Sequence, residues 1–208
     1  MSTTLHVGDL PDGVGFGATV AVDTETLGLS PHRDRLCLVQ LAAGDGACHL
    51  VQFRAGANGA VDYSAANLKR VLGDPGVLKL FHYARFDIAV LHRYLGVAVA
   101  PLYCTKIASR LTRTYTDRHG LEDLCRELLG IDLSKRQQSS DWARAELSEA
   151  QIDYAARDVL HLHGIKAILD AMLDRESRRD LAEACFAFLP TRAALDLGGW
   201  PEMDIFAH

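Results

Sequence analysis

No run in this chain approaches the roughly 20 consecutive apolar residues that span a bilayer, so no membrane-crossing helix is read. The opening MSTTLHVGDLPDG has no basic stretch followed by an apolar one, so no secretory signal is read there either. Cysteine is sparse: Cys37, Cys48, Cys104, Cys125 and Cys185 are odd in number and contain no C-x-x-C. That argues against a disulfide frame or a zinc ribbon and suits a reducing cytoplasm. Repeats, low-complexity tracts and long linkers are missing too. Nor is the chain basic. Its formal net charge of −5 does not advertise a nucleic-acid partner. The distribution says more, because residues 101–145 carry 8 basic and 6 acidic side chains and residues 146–208 carry 6 and 12. An acidic chain can still hold a polyanion where metal ions neutralise the site and a local basic strip grips the backbone.

What is present is a core. With 49% hydrophobic residues over 208 positions, the composition fits one α/β globular domain. Strand-like runs cover 18–26, 35–43 and 47–53, separated by short Gly, Pro and Asp punctuation, so an antiparallel meander is expected. Asn58-Gly59 marks a turn. A helix follows, with Ser64 as its expected N-cap and Gly73 near its end, and 77–83 reads as a fourth strand. Ala84, Ile88, Leu91 and Leu95 then recur at helical spacing up to Gly96. A short fifth strand and a helix are expected across 100–112, and another helix across 120–130. Ser148 and Gln151 form a capping box that opens a helix expected to run to about 175. The tail adds helix, with Pro190 and Gly198-Gly199 as breaks. The order implies a mixed sheet with helices packed on it.

Several acids sit in apolar segments, where an unpaired carboxylate is costly. Asp23 and Glu25 are two apart on an expected strand, so they share one face, while Val20, Val22 and Thr24 share the other. Asp87 precedes Ile88 of the apolar stripe in its helix. Tyr154 and Asp158 are four apart, side by side, and each precedes a residue of the stripe Ala155, Val159, Leu162, Ile165, Leu169 and Met172. Each piece has a plain alternative: a strand-ending turn for Asp23-Thr-Glu25, a first-turn acid answering the helix dipole for Asp87, and a surface Tyr-Asp hydrogen bond. The combination reads differently. Four carboxylates and a phenol are the parts of a site for two divalent cations, which take oxygen ligands. A nearby tyrosine can orient the attacking water.

With these residues in hand, the chain resembles the DEDD 3′→5′ exonucleases, within them the tyrosine subclass (DEDDy) and its ribonuclease D group, over about residues 18–170. The D-x-E motif stands as Asp23-Thr-Glu25, H-x-x-x-x-D as His82 to Asp87, and Y-x-x-x-D as Tyr154 to Asp158. A histidine-subclass member would carry His where Asp153 stands. RLCLVQLA, LEDLCRELLGIDLSK and SSDWARAELSEAQIDYAARDV are similar to ribonuclease D sequence as well. Cys104-Thr105 departs from the family's Asp-Thr at a position that is not a metal ligand.

The resemblance implies a ribonuclease H-like fold with a five-stranded mixed sheet flanked by helices. It implies one exonuclease domain over 1–208 with a short helical C-terminal extension and without HRDC domains. It also implies two divalent ions, Mg²⁺ or Mn²⁺. Asp23, Glu25 and Asp158 would ligate one, Asp23 would reach the second with Asp87 nearby, and Tyr154 would position the nucleophile. The substrate would be the 3′ end of single-stranded RNA and the products nucleoside 5′-monophosphates. A DNA-directed or dual-specificity exonuclease, and an inactive RNA-binding scaffold on the same fold, are the alternatives carried alongside.

Substrate contacts are expected at Thr26 and Leu27 for the 3′ hydroxyl, at Leu29 as an apolar wedge, and at His82 and Phe86 around the second motif. Lys106, Arg110 and Arg113 fall on one helical face that could meet phosphates, with Lys135 and Arg136 adding charge. Trp142 could stack on a base. The plain readings are a core leucine, a structural histidine, a solvated basic face and a core tryptophan.

Overall fold

The computed structural model describes residues 2–133 and 140–207. The meander is present: β2 (Thr19–Thr26), β3 (Leu36–Ala42) and β4 (Ala47–Gln52) are antiparallel, with Asp23 paired to Gln40. Every residue of β3 is buried, as a strand covered on both faces requires. Helix α1 (Ala66–Gly73) carries the chain to β5 (Leu78–Phe81), parallel to β2. Helix α2 (Ala84–Leu95) leads to β6 (Leu102–Cys104), parallel to β5, and α3 (Thr105–Thr112) follows directly.

The sheet has six strands, not the five expected. The extra strand, β1 (Ser2–Val7), pairs parallel to β4 at the sheet edge, giving the order β1-β4-β3-β2-β5-β6. STTLHV is half exposed and shows no apolar alternation, so backbone pairing to β4 rather than side-chain burial defines it.

Four helical expectations also shift. The helix after residue 64 starts from Ala65, in a left-handed conformation with φ 31°, and Ser64 does not cap it. The segment 120–130 is a short α4 (Leu121–Leu124) continued by a π-helical turn over Cys125–Leu129. The long helix is two: α5 (Glu149–Leu160) and α6 (Leu162–Arg175) meet at His161. That break lets α5 lie across β2, β3 and β4 while α6 packs on α3 and α7. Pro190 does not break the tail, because it lies inside α7 (Arg179–Leu197). Burial of Phe186, Leu189 and Ala193 on either side outweighs the roughly 3 kcal/mol a helical proline costs. The capping box is as expected: Ser148 accepts from the Gln151 backbone, and the Gln151 side chain accepts from Ser148 N at 3.0 Å.

Helix α7 packs along α2. Arg85 of α2 makes a two-pronged ion pair with Asp196 near the end of α7, at 2.6 and 2.7 Å. Among the described residues no helix is long and apolar enough to cross a membrane.

Candidate active site

The C-terminal half of β2 forms the floor of the site. Alternation aims Asp23 and Glu25 at α5, which brings Asp158 over the strand. One oxygen from each of these three carboxylates lies within 4.8 Å of the others. Gln40 on the neighbouring strand donates to Asp23 Oδ2 at 3.3 Å. The capping box anchors α5, and Gln151 also donates to Ser140 Oγ and Asp141 O at 3.1 and 3.0 Å. Tyr154 sits one turn before Asp158, with its ring 6.1 Å from that of Trp142.

Asp87 comes from the other face of the strand. It is buried in the first turn of α2, and Thr24 Oγ1 donates to its Oδ1 at 2.6 Å. Thr24 faces away from Asp23 and Glu25, as alternation dictates, so β2 has an acid on each side at its end. Asp87 lies outside the tight three-carboxylate cluster.

The electrostatics are one-sided. Burial raises Asp23 to about 7. Burial and the neighbouring carboxylates push Glu25, Asp87 and Asp158 well above the usual range. Burial, then Asp158, Glu25 and Asp23, raise the Tyr154 phenol and hold it neutral. Among the described residues no cationic side chain pairs with any of the four acids. Hard oxygen donors converging without a counter-charge fit a divalent cation.

A cleft of about 670 Å³ opens over these acids. Thr26, Leu27, Leu29, His82, Phe86, Lys106 and Trp142 all line it. Leu29 is 88% exposed, which rules out the core-leucine reading. Its loop is held by Asp34, whose Oδ2 accepts from Ser30 N at 2.9 Å. A Cβ on Gly28 would overlap the Asp34 carboxylate and force it to shift. His82 Nδ1 lies 2.9 Å from Thr105 Oγ1. Lys106 Nζ sits 4.2 Å from the centre of the Tyr83 ring.

Three expected contacts are corrected. Arg113 does not share a phosphate-facing surface with Lys106. Helix α3 ends at Thr112, and Arg113 turns inward, fully buried, to pair with Glu127 and to donate to Ser109 Oγ and Arg118 O at 3.0 and 2.7 Å. Arg110 is exposed but does not line the cleft. Trp142 is only 2% exposed, so it is a core residue showing one edge to the cleft and not a stacking platform. Lys135 and Arg136 lie outside the described residues.

Two residues escaped the sequence reading. Thr24 was visible as the middle of D-x-E, but its bond to Asp87 depends on how α2 packs. Tyr83 lines the cleft, half exposed, because it adopts a left-handed conformation with φ 67° ahead of α2. No periodicity signals that.

Residues 12–174 match a family described as 3'-5' exonuclease. The chain belongs to that 3'-5' exonuclease family. Among its relatives is a ribonuclease D from Granulibacter bethesdensis, 34% identical over 159 residues, covering 76% of this chain and 38% of the relative. The chain thus spans about two fifths of the length of the curated ribonuclease D relatives it matches. Among solved structures, Brucella melitensis NrnC with bound Mg²⁺ is similar over 100% of both chains, at 53% identity and a TM-score of 0.93. The same protein bound to pGG matches at 54% identity and a TM-score of 0.94, over 100% of this chain and 99% of the other. The exonuclease fold of the chain is therefore the one its motifs implied.

Proposed function

We propose that the protein is a metal-dependent 3′→5′ exoribonuclease that shortens single-stranded RNA one nucleoside 5′-monophosphate at a time. The observation that carries this is the convergence of Asp23, Glu25 and Asp158 within 4.8 Å, beside Tyr154, with no compensating cation among the described residues. Ribonuclease D relatives support RNA as the substrate, and the pGG complex of the Brucella protein supports short 5′-phosphorylated oligonucleotides among the substrates.

Asp23, Glu25 and Asp158 would hold one divalent ion, and Asp23 with Asp87 a second. Bound Mg²⁺ or Mn²⁺ supplies activation of water and neutralisation of charge on the scissile phosphate. The chain's own groups do the positioning. Tyr154, one turn before Asp158, orients the attacking water or assists its deprotonation. Leu29 projects into the cleft as an apolar wedge against the terminal base. Thr26 and Leu27 meet the 3′ hydroxyl, Phe86 walls the sugar, and Lys106 meets a phosphate. The domain is taken as 1–208, with 18–170 as its core. A cytoplasmic location fits five cysteines that are all free.

The test is digestion of 5′-labelled single-stranded RNA with Mg²⁺, Mn²⁺ or EDTA, beside Asp23→Ala and a matched DNA. A one-nucleotide ladder from the 3′ end, lost in EDTA and in the variant, is the expected result. Equal rates on RNA and DNA would sink RNA specificity. Metal-independent RNA binding without cleavage would leave the scaffold reading.

A further inference from the structure

His82 lines the cleft immediately after β5, with Tyr83 and Lys106 beside it. Its hydrogen bonding determines which ring nitrogen carries the proton. Thr105 Oγ1 lies 3.2 Å from the carbonyl oxygen of Phe81 and 2.9 Å from His82 Nδ1. A hydroxyl has one proton, and a carbonyl oxygen only accepts. The arrangement that makes both contacts hydrogen bonds gives the Thr105 proton to Phe81 and makes the same oxygen the acceptor toward His82. Nδ1 must then be the protonated nitrogen. The ring is neutral, because burial and the adjacent Lys106 lower its pKa to about 3. A neutral ring with Nδ1–H leaves Nε2 as a bare acceptor. Among the described residues no protein group bonds to Nε2, nor is it sealed away as a buried unpaired atom.

The cleft thus presents an acceptor lone pair next to a lysine ammonium. Phosphate oxygens only accept, so they suit Lys106 and are repelled by Nε2. On the sugar–phosphate backbone the only donors are hydroxyls. Resting on the exoribonuclease reading, we propose that His82 Nε2 accepts a hydrogen bond from a ribose hydroxyl of the bound nucleotide. Thr105 is its positioning residue, fixing the tautomer. The contact ignores base identity, and at a 2′ position it would tell RNA from DNA.

The test uses the full chain with Mg²⁺ and short RNAs that carry 2′-hydroxyl, 2′-fluoro, 2′-deoxy or 3′-deoxy sugars at the last two nucleotides. Fluorine can accept but cannot donate. For wild type, kcat/KM is expected to fall about tenfold on the substrate that lacks the donor, the worth of one hydrogen bond. Loss on 2′-fluoro and 2′-deoxy assigns the 2′ hydroxyl; loss on 3′-deoxy assigns the 3′ hydroxyl. His82→Phe keeps a ring without an acceptor and should bring that ratio to about one. Thr105→Val should shrink the ratio and Thr105→Ser restore it. Each ratio is independent of the fraction of active protein, so imperfect folding of a Thr105 variant does not blur it. If His82→Phe slows all substrates equally and keeps the wild-type ratios, the inference is overturned while the exoribonuclease reading stands. If wild type cleaves no RNA at all, both fall together.

Discussion

Two concentrations of charge lie in this molecule, and they are built on opposite plans. At Arg113 a fully buried guanidinium meets Glu127, the Ser109 hydroxyl and the Arg118 carbonyl, with only its Nε lacking a partner. At the end of β2 Asp23, Glu25 and Asp158 converge with Asp87 nearby, and a glutamine amide and a threonine hydroxyl bond to two of them, with no cation paired to any of the four among the described residues. A charge whose partners are all supplied by the chain is part of the structure. A set of charges the chain leaves uncompensated is reserved for something that arrives from outside. In the sequence Arg113 read as part of a basic helical face with Lys106 and Arg110, and the acids as charges set in apolar segments.

The comparison can be broken at either end. The largest effect is expected at the acids: Asp158→Ala should cut kcat at least ~10³-fold by removing a shared ligand, with thermal stability unchanged or raised. Single-turnover kinetics beside a melt would check it, and near-normal turnover would remove the proposed site. Arg113→Ala should do the reverse. It should cost about 3 kcal/mol of unfolding free energy in denaturant titrations, since Glu127 loses its partner and a buried stem is lost, yet leave the kcat of folded enzyme near normal. A loss of kcat without a loss of stability would mean Arg113 serves catalysis after all. Tyr154→Phe should slow the chemical step about 10²-fold and leave Mg²⁺ affinity in place. Weaker metal binding in that variant would make the phenol a ligand-side group and not a water-orienting one.

The smallest effect is in the pH dependence of stability without metal. Asp23 is raised in the fold from 3.8 to about 7, so its ionisation is harder in the folded than in the unfolded chain. The stability linked to its protonated form is complete below about pH 4 and is lost as pH rises through 7. Asp23→Asn, which cannot ionise, should therefore melt close to wild type at pH 4 and increasingly above it toward pH 8. Saturating Mg²⁺ should reverse the order at pH 8, because only wild type retains the ligand. A pH-independent gap in Tm would show that burial does not hold Asp23 above the usual carboxylate range.

Much of this site was legible because its acids violate the pattern of the elements that carry them. Asp23 and Glu25 interrupt an otherwise apolar strand, and alternation alone put Thr24 on the opposite face, where it meets Asp87. What was not legible depends on how segments end or on contacts that leave no trace in composition. Arg113 keeps helical spacing from Lys106, but the helix stops one residue short of it. Strand β1 is held by backbone pairing, which no side-chain pattern encodes. Pro190 obeys tertiary packing over its own preference. Tyr83 reaches the cleft through a left-handed backbone that its sequence neighbours do not announce.

The pair between Arg85 and Asp196 joins residues 111 positions apart, and Arg85 stands two residues before Asp87. On a ribosome, the strand bearing Asp23 and helix α2 emerge well before the helix that Arg85 grips. The helix that carries Asp87 is thus fastened by a partner that is still unmade when the helix itself is finished.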